Sequence, residues 1–160
     1  MADALEILVD VDQAKSFIEE RRNSLVDLIS ERMDLVNKMF ADEVRGNLSG
    51  GVLQSRSGKL LNTVMQTPAQ VSGEEVYGSV QAGGEEAPYG IYFEEGGTHA
   101  YEIVPVNARV LAFVSGGQQI FARMVHHPPI PHLPWFGPAV DPATDQMTTQ
   151  LNAAFQEVLG

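Results

Sequence analysis

The sequence has 160 residues, with 10 Lys and Arg against 21 Asp and Glu, for a net charge of −11. This length fits one domain with a real core, and the acidic balance argues against groove binding of nucleic acid, where basic side chains replace phosphate counterions. The absence of Cys excludes disulfides and thiolate catalysis and fits assembly in a reducing cytoplasm, and no apolar run is long enough to predict a transmembrane helix.

The first part of the chain predicts a strand, a long helix and a loop. Apolar and polar residues alternate over Leu5–Val11, which indicates a short strand with one buried face. From Gln13 to Leu48 apolar residues recur at helical spacing and predict a long amphipathic helix, with Asn23-Ser24 as an alternative start of a second segment. Residues 46–58 are rich in Gly and Ser and predict a mobile loop.

The middle of the chain predicts short elements. Residues 60–71 indicate a helical turn followed by a strand, and alternation over residues 76–82 indicates a second strand. Residues 89–95 are aromatic and too few for a stable isolated helix, so tertiary contacts must hold them.

The last third predicts a hairpin and a terminal helix. Gly116-Gly117, between strand-like residues 111–114 and 119–125, predicts a β-hairpin with a primed turn. Residues 128–138 carry five prolines and predict irregular structure, and Asp141-Pro142 predicts a helix start. The predicted class is α+β: a single domain over residues 1–160, with the long N-terminal helix and the C-terminal helix packed on a mainly antiparallel β-sheet.

The negative charge is concentrated in one stretch. No Lys or Arg lies between Lys59 and Arg109, whereas seven Glu do. One interpretation is a solvated face that aids solubility; the other is an acidic wall past which nucleic acid slides without binding. The acidic residues of the stretch are Glu74, Glu75, Glu85, Glu86, Glu94, Glu95 and Glu102.

The sequence offers little catalytic chemistry. His126, His127 and His132 form the one dense group of metal-ligating residue types, and with a carboxylate they could hold zinc in a small metal-dependent enzyme. Adjacent histidines on a strand point to opposite faces, however, and prolines separate the third from them. Serine-nucleophile and nucleotide-binding motifs are absent, so we expect no catalytic residues, no cofactor and no metal.

Three segments, in order, carry a family resemblance. Residues 57–64 (SGKLLNTV) resemble a threonine-glycine-x-leucine motif that follows a long helix. Residues 89–98 (YGIYFEEGGT) resemble a tyrosine-alanine motif that continues to glutamate-x-glycine-threonine, and residues 131–140 (PHLPWFGPAV) resemble a proline-x-proline-phenylalanine motif before the last helix. These are the motifs of the tail-completion, or head–tail joining, proteins of long-tailed bacteriophages, and the match spans about residues 13–158. The chain departs from the pattern at Ser57, Thr63, Gly90, an extra Gly in Gly96-Gly97, and an inserted Trp135.

The resemblance implies a non-enzymatic virion protein, assembled in the host cytoplasm, that forms a homo-oligomeric ring at the head–tail junction or the top of the tail. The implied ring is a hexamer, and its implied neighbours are connector or stopper, tail-terminator and tail-tube proteins, with no membrane partner. Besides the metal-dependent enzyme, another tail or capsid-associated subunit is an alternative. The expected interface residues are Val52, Leu53, Arg56, Glu94, Glu95, Trp135 and Phe136.

Two of these expectations concern particular segments. Trp135 and Phe136 form either a core lid or an aromatic anchor for a neighbouring subunit, and the core is favoured. Some of six acidic residues are predicted to face the channel of the ring, where carboxylates would repel passing phosphates: Glu74, Glu75, Glu85, Glu86, Glu94 and Glu95. No specific nucleic-acid binding is expected, although DNA would pass through the ring.

Overall fold

The computed structural model describes residues 11–54, 57–73 and 75–159. The chain divides into two compact units, and both take residues from the first helix. Of the described residues, the first unit comprises 11–43, 65–73, 75–81 and 139–159, and the second comprises 44–54, 57–64 and 82–138. The elements are α1 (Val11–Leu48), α2 (Lys59–Asn62), β1 (Met65–Ser72), β2 (Glu75–Gln81), α3 (Gly90–Glu94), β3 (Tyr101–Ile103), β4 (Leu111–Ser115), β5 (Gln118–Ala122), β6 (Val125–His127), a 3-10 helix (Gly137–Ala139) and α4 (Val140–Leu159).

The predicted α+β class, with long terminal helices and antiparallel strands, is confirmed. Within the described residues the strands form three two-stranded antiparallel sheets, β1–β2, β3–β6 and β4–β5. The strand predicted over residues 5–11 lies outside the described residues except for Val11, which is helical. A single domain over residues 1–160 stays a prediction.

In the first unit α1 and α4 pack antiparallel. The Arg21 guanidinium donates to the carbonyl oxygen of Val158, so a cation meets the C-terminal end of α4, where unpaired carbonyls concentrate negative charge. Further along α1, Arg32 donates to Gln150 Oε1 at 3.4 Å and lies 3.4 Å from Glu157 Oε2. The helix α1 is unbroken over 38 residues, about 57 Å at ~1.5 Å per residue, so the alternative start at Asn23-Ser24 is not used.

The β1–β2 hairpin packs on the same helix. Gly78 faces α1 so closely that a Cβ there would overlap Asn37 Nδ2 and would lie 3.3 Å from Met33 Sδ. The register of β1 shifts between Thr67 and Gln70, around Pro68, and the carboxylate of Asp34 accepts a 2.7 Å hydrogen bond from the Ala69 amide inside this irregularity. The outer edge of β1 is thus interrupted by a proline and a bulge.

The second unit has its own small core. Val44 and Leu48, from the last turns of α1, are buried there, as are Leu60 and Trp135. The Thr63 hydroxyl donates to the Leu60 carbonyl at 2.6 Å and accepts from the Gly83 amide at 2.7 Å, which fixes the turn after α2.

The predicted hairpin is confirmed as β4–β5. Gly116 and Gly117 have φ of 60° and 79°, the two positive angles that a type I′ turn requires. Leu111 pairs with Ala122 at the open end, and Ser115 pairs with Gln118 beside the turn.

Several boundaries differ from the prediction. The strand predicted over residues 119–125 ends at Ala122, and Val125 begins β6. Residues 46–48 of the predicted mobile loop are the last residues of α1, and the chain then turns back, with the Val52 and Leu53 amides donating to the Asn47 carbonyl at 3.0 and 2.8 Å. Helix α4 begins at Val140, one residue before Asp141, because a 3-10 helix over Gly137–Ala139 leads into it. The proline-rich stretch is therefore irregular only up to this turn.

Candidate functional site

The three segments that carry the family resemblance meet in the second unit. We call the residues through which they touch, Leu60, Gly90, Glu94, Gly97 and Trp135, the motif cluster. Leu60 and Trp135 are buried, with exposed fractions of 1% and 4%. Segments that are about 30 and about 40 residues apart in the sequence thus form one packed group.

Gly90 is the contact point of all three segments. A Cβ on this residue would lie 2.8 Å from Leu60 Cδ1 and 3.3 Å from Trp135 Cζ2, so any larger residue here would force these side chains to shift. The indole Nε1–H of Trp135 donates to the Gly90 carbonyl at 3.1 Å, which satisfies its polar atom inside the core. Two departures from the family pattern, Gly90 and Trp135, therefore lie against each other.

Glu94 binds the backbone of the third segment. Its Oε2 accepts hydrogen bonds from the amides of Trp135 at 2.8 Å and Phe136 at 2.9 Å, and its Oε1 accepts one from the Gly137 amide at 2.7 Å. A carboxylate is the strongest acceptor that a side chain offers to such a row of donors. Glu94 is half-buried, and both of its carboxylate oxygens accept hydrogen bonds from these amides; its predicted place at an interface or facing a channel stays a prediction.

Gly97 brings the second and third segments together at another point. Thr98 and Ile130 pair as an isolated antiparallel bridge, with amide-to-carbonyl distances of 2.9 and 3.1 Å in the two directions. Gly97 has a φ of 75°, and a Cβ there would overlap the Ile130 carbonyl oxygen. The extra glycine of this motif thus serves a close backbone approach.

The three histidines His126, His127 and His132 each contact a different group. His126 Nδ1 lies 3.4 Å from Glu102 Oε1, whereas the ring of His127 stacks on Tyr101 at 4.7 Å. The Nε2 of His132 lies 3.0 Å from the Glu94 carbonyl oxygen. Among residues 11–54, 57–73 and 75–159, no group of three or more His, Asp or Glu is placed to hold a metal ion, so the alternative based on these histidines finds no geometric support.

The other predicted site residues are dispersed. Val52 and Leu53 are half-buried in the turn after α1, and Phe136 packs edge-on against Trp135 with ring centroids 5.7 Å apart. Trp135 itself lies in the core, as favoured. Arg56 and Glu74 lie outside the described residues. The remaining acidic residues are exposed: Glu75, Glu85, Glu86, Glu95 and Glu102.

Sequence reasoning missed an exposed apolar surface on the β4–β5 hairpin. Val114 and Phe121 are 72% and 63% exposed on one face, and Phe113 and Ile120 pair on the other, also exposed. Residues 111–122 contain no charged residue, and Arg109 and Arg123 flank them. This uncharged stretch within an acidic chain was the sequence feature that could have predicted the exposed apolar surface. It marks a surface suited to contact with another protein.

A second uncovered surface is the start of α1. All of residues 11–20 are exposed, including Phe17 and Ile18. The helix continues past Arg21, the residue that meets the end of α4. In the described part of the chain no helix has the length and apolar character needed to cross a membrane.

Comparison with known proteins gives no relative: no protein family, no curated protein and no solved structure matches this chain.

Proposed function

We propose that this chain is a non-enzymatic structural subunit of a long-tailed phage, which forms a homo-oligomeric ring, a hexamer, at the head–tail junction or the top of the tail. The observation that carries the proposal is the motif cluster. The three resembling segments contact one another through Leu60, Gly90, Glu94 and Trp135. Packing of the three segments against one another supports the view that they act together in one structural role.

The use of polar groups in the cluster favours a structural role over catalysis. The Glu94 carboxylate and the Trp135 indole both hydrogen-bond to backbone groups. Catalytic side chains are instead directed at a cavity where a substrate can reach them.

The uncovered surfaces support assembly. The hairpin exposes Phe113, Val114, Ile120 and Phe121, and α1 exposes residues 11–20. Burying such surfaces between subunits removes apolar area from water. The exposed acidic residues fit a ring through which DNA moves, because carboxylates do not bind phosphates. The proposed neighbours are connector or stopper, tail-terminator and tail-tube proteins.

The neighbouring genes provide a first test: portal, connector and tail-tube genes are expected, and metabolic genes would contradict the proposal. The decisive experiment is a nonsense mutation in this gene of the phage, complemented from a plasmid. Without the protein, filled heads and tails should accumulate unjoined in electron micrographs. Normal virions from the mutant would overturn the proposal, and a defect confined to the capsid or the distal tail would place the chain elsewhere in the particle.

Complementation with single variants tests whether the motif cluster is needed for head–tail joining. A plasmid with Glu95→Ala should restore joining, because Glu95 is exposed. A plasmid with Glu94→Ala should restore it poorly, because the three amides of residues 135–137 lose their acceptor. Equal rescue by both variants would show that the cluster is not needed for the proposed function.

A further inference from the structure

The β5 strand presents an unprotected edge. It pairs with β4 on one side, and within the described residues no strand pairs with its other side. Natural proteins usually protect such edges with charged residues, prolines or bulges. Residues 111–122 contain no charged residue and no proline. The β4–β5 register is also regular from Leu111 to Ser115. The edge is therefore open to pairing with another strand.

The β2 strand presents a second open edge. It pairs with β1, and in the described part of the chain its other side has no partner strand. The outer edge of β1 differs, because Pro68 and the bulge beside it interrupt the row of backbone N–H groups along that edge. Over Glu75–Gln81, β2 has no proline. Of the two edges of this hairpin, β2 is the one that can accept a strand.

Charge makes these two edges complementary. Arg109 and Arg123 are the only basic residues after Lys59, and Arg123 directly follows β5. Glu75 is the first residue of β2, beside Glu74 in the sequence. Antiparallel pairing of the two strands brings the start of β2 to the end of β5, so opposite charges meet. Pairing β2 with β4 near Arg109 would have to be parallel, which is less stable per residue.

We propose that β2 of one copy of this chain pairs antiparallel with β5 of the next copy, with Glu75 opposite Arg123. In this register Tyr77 lies opposite Phe121. These side chains are 49% and 63% exposed, and an aromatic cross-strand pair would cover both. Gly78 then lies opposite Ile120.

The contact joins two different surfaces, the β2 edge on one copy and the β5 edge on the other. Such a heterologous contact, repeated with a closing rotation, generates a ring. The inference thus rests on the proposed ring and identifies how its subunits join. The continuous four-stranded sheet across each contact also removes one open edge from every hairpin.

Disulfide mapping tests the pairing cleanly because the chain has no Cys. Two single variants, Tyr77→Cys and Phe121→Cys, are purified, mixed, oxidised and run on non-reducing gels. Directly opposed residues of antiparallel strands have Cα atoms about 4.5–5.5 Å apart, within disulfide range. The mixture should give a covalent dimer, and neither variant alone should.

Val114→Cys is the matched control for Phe121→Cys. Val114 is 72% exposed on the same face of the hairpin but lies on β4, two strands from β2 in the proposed sheet. That separation, about 10 Å at ~4.8 Å per strand, exceeds disulfide reach. Cross-linking of residue 77 to residue 114 in preference to residue 121 would overturn the proposal.

Charge reversal gives an independent readout by sedimentation equilibrium. Glu75→Arg and Arg123→Glu should each weaken association roughly two- to fivefold per contact, and the two together should restore it. Glu86→Arg, an exposed reversal in the same acidic stretch, should change association less. Failure of the double variant to recover would contradict the pairing.

The outcomes separate this inference from the proposed function. Rings without the 77–121 cross-link would overturn the strand pairing and leave the ring proposal standing. Cross-linked chains that never close would support the pairing and count against the ring. A protein that stays monomeric at about millimolar concentration would overturn both.

Discussion

Glu94 provides the sharpest test of the motif cluster. Replacing it by Ala leaves the amides of Trp135, Phe136 and Gly137 without their acceptor. Hydrogen bonds to a charged group contribute about 1.5–3 kcal/mol each, and water can replace the one at the exposed Gly137. At the lower end of this range, the two part-buried amides give an expected loss of about 3 kcal/mol in the free energy of unfolding. For a chain of this length that loss lowers the melting temperature by about 6–12 °C.

The assay can use the protein's own fluorescence. Trp135 is the single tryptophan, is buried, and belongs to the cluster, so its emission reports unfolding at this position. Glu95→Ala is the control, since this neighbouring side chain is exposed, and exposed substitutions usually change stability by less than about 0.5 kcal/mol. Glu94→Gln, which retains one acceptor oxygen, should fall between the two. Equal melting temperatures for Glu94→Ala and Glu95→Ala would refute the reasoning.

Three further predictions concern packing and charge. Trp135→Ala removes a buried side chain and should lower the free energy of unfolding, measured by urea denaturation, by about 3–5 kcal/mol. An unchanged free energy of unfolding would contradict the placement of Trp135 in the core. Gly97→Ala should lower the melting temperature more than Gly116→Ala, because both have positive φ but only the Gly97 Cβ would overlap the Ile130 carbonyl. Purified protein should show no duplex DNA binding at physiological salt, and micromolar binding by fluorescence anisotropy would remove the charge reasoning.

Elements with a strong local signal were predictable from the sequence. The long helix α1 follows from uninterrupted periodicity, and the β4–β5 hairpin follows from Gly116-Gly117, whose backbone angles are a local property. Helix α4 starts at Val140, two residues before the predicted first helical residue Pro142, because a 3-10 turn precedes it. Helix ends vary on this scale because terminal turns commonly adopt 3-10 geometry.

Features that depend on distant partners were not predictable. Nothing near Glu94 in the sequence indicates that its carboxylate accepts from amides about 40 residues further on, so it was assigned to the surface. The β3–β6 pair was missed for a similar reason, since Tyr101–Ile103 is short and its partner is Val125–His127. The alternation of Tyr101 and Ile103 around Glu102 was a weak signal for that strand.

The contact between Glu94 and the amides of residues 135–137 has a consequence for the order of folding. It closes a chain segment of 41 residues or more, whereas the β4–β5 hairpin inside that segment closes across a two-residue turn. Local hairpins form in microseconds, and long loops close later because more chain entropy is lost. During synthesis the hairpin also leaves the ribosome before residues 135–137. The nascent chain therefore presents an uncharged apolar hairpin before the cluster around it is complete, and this interval is when premature pairing between chains is most probable.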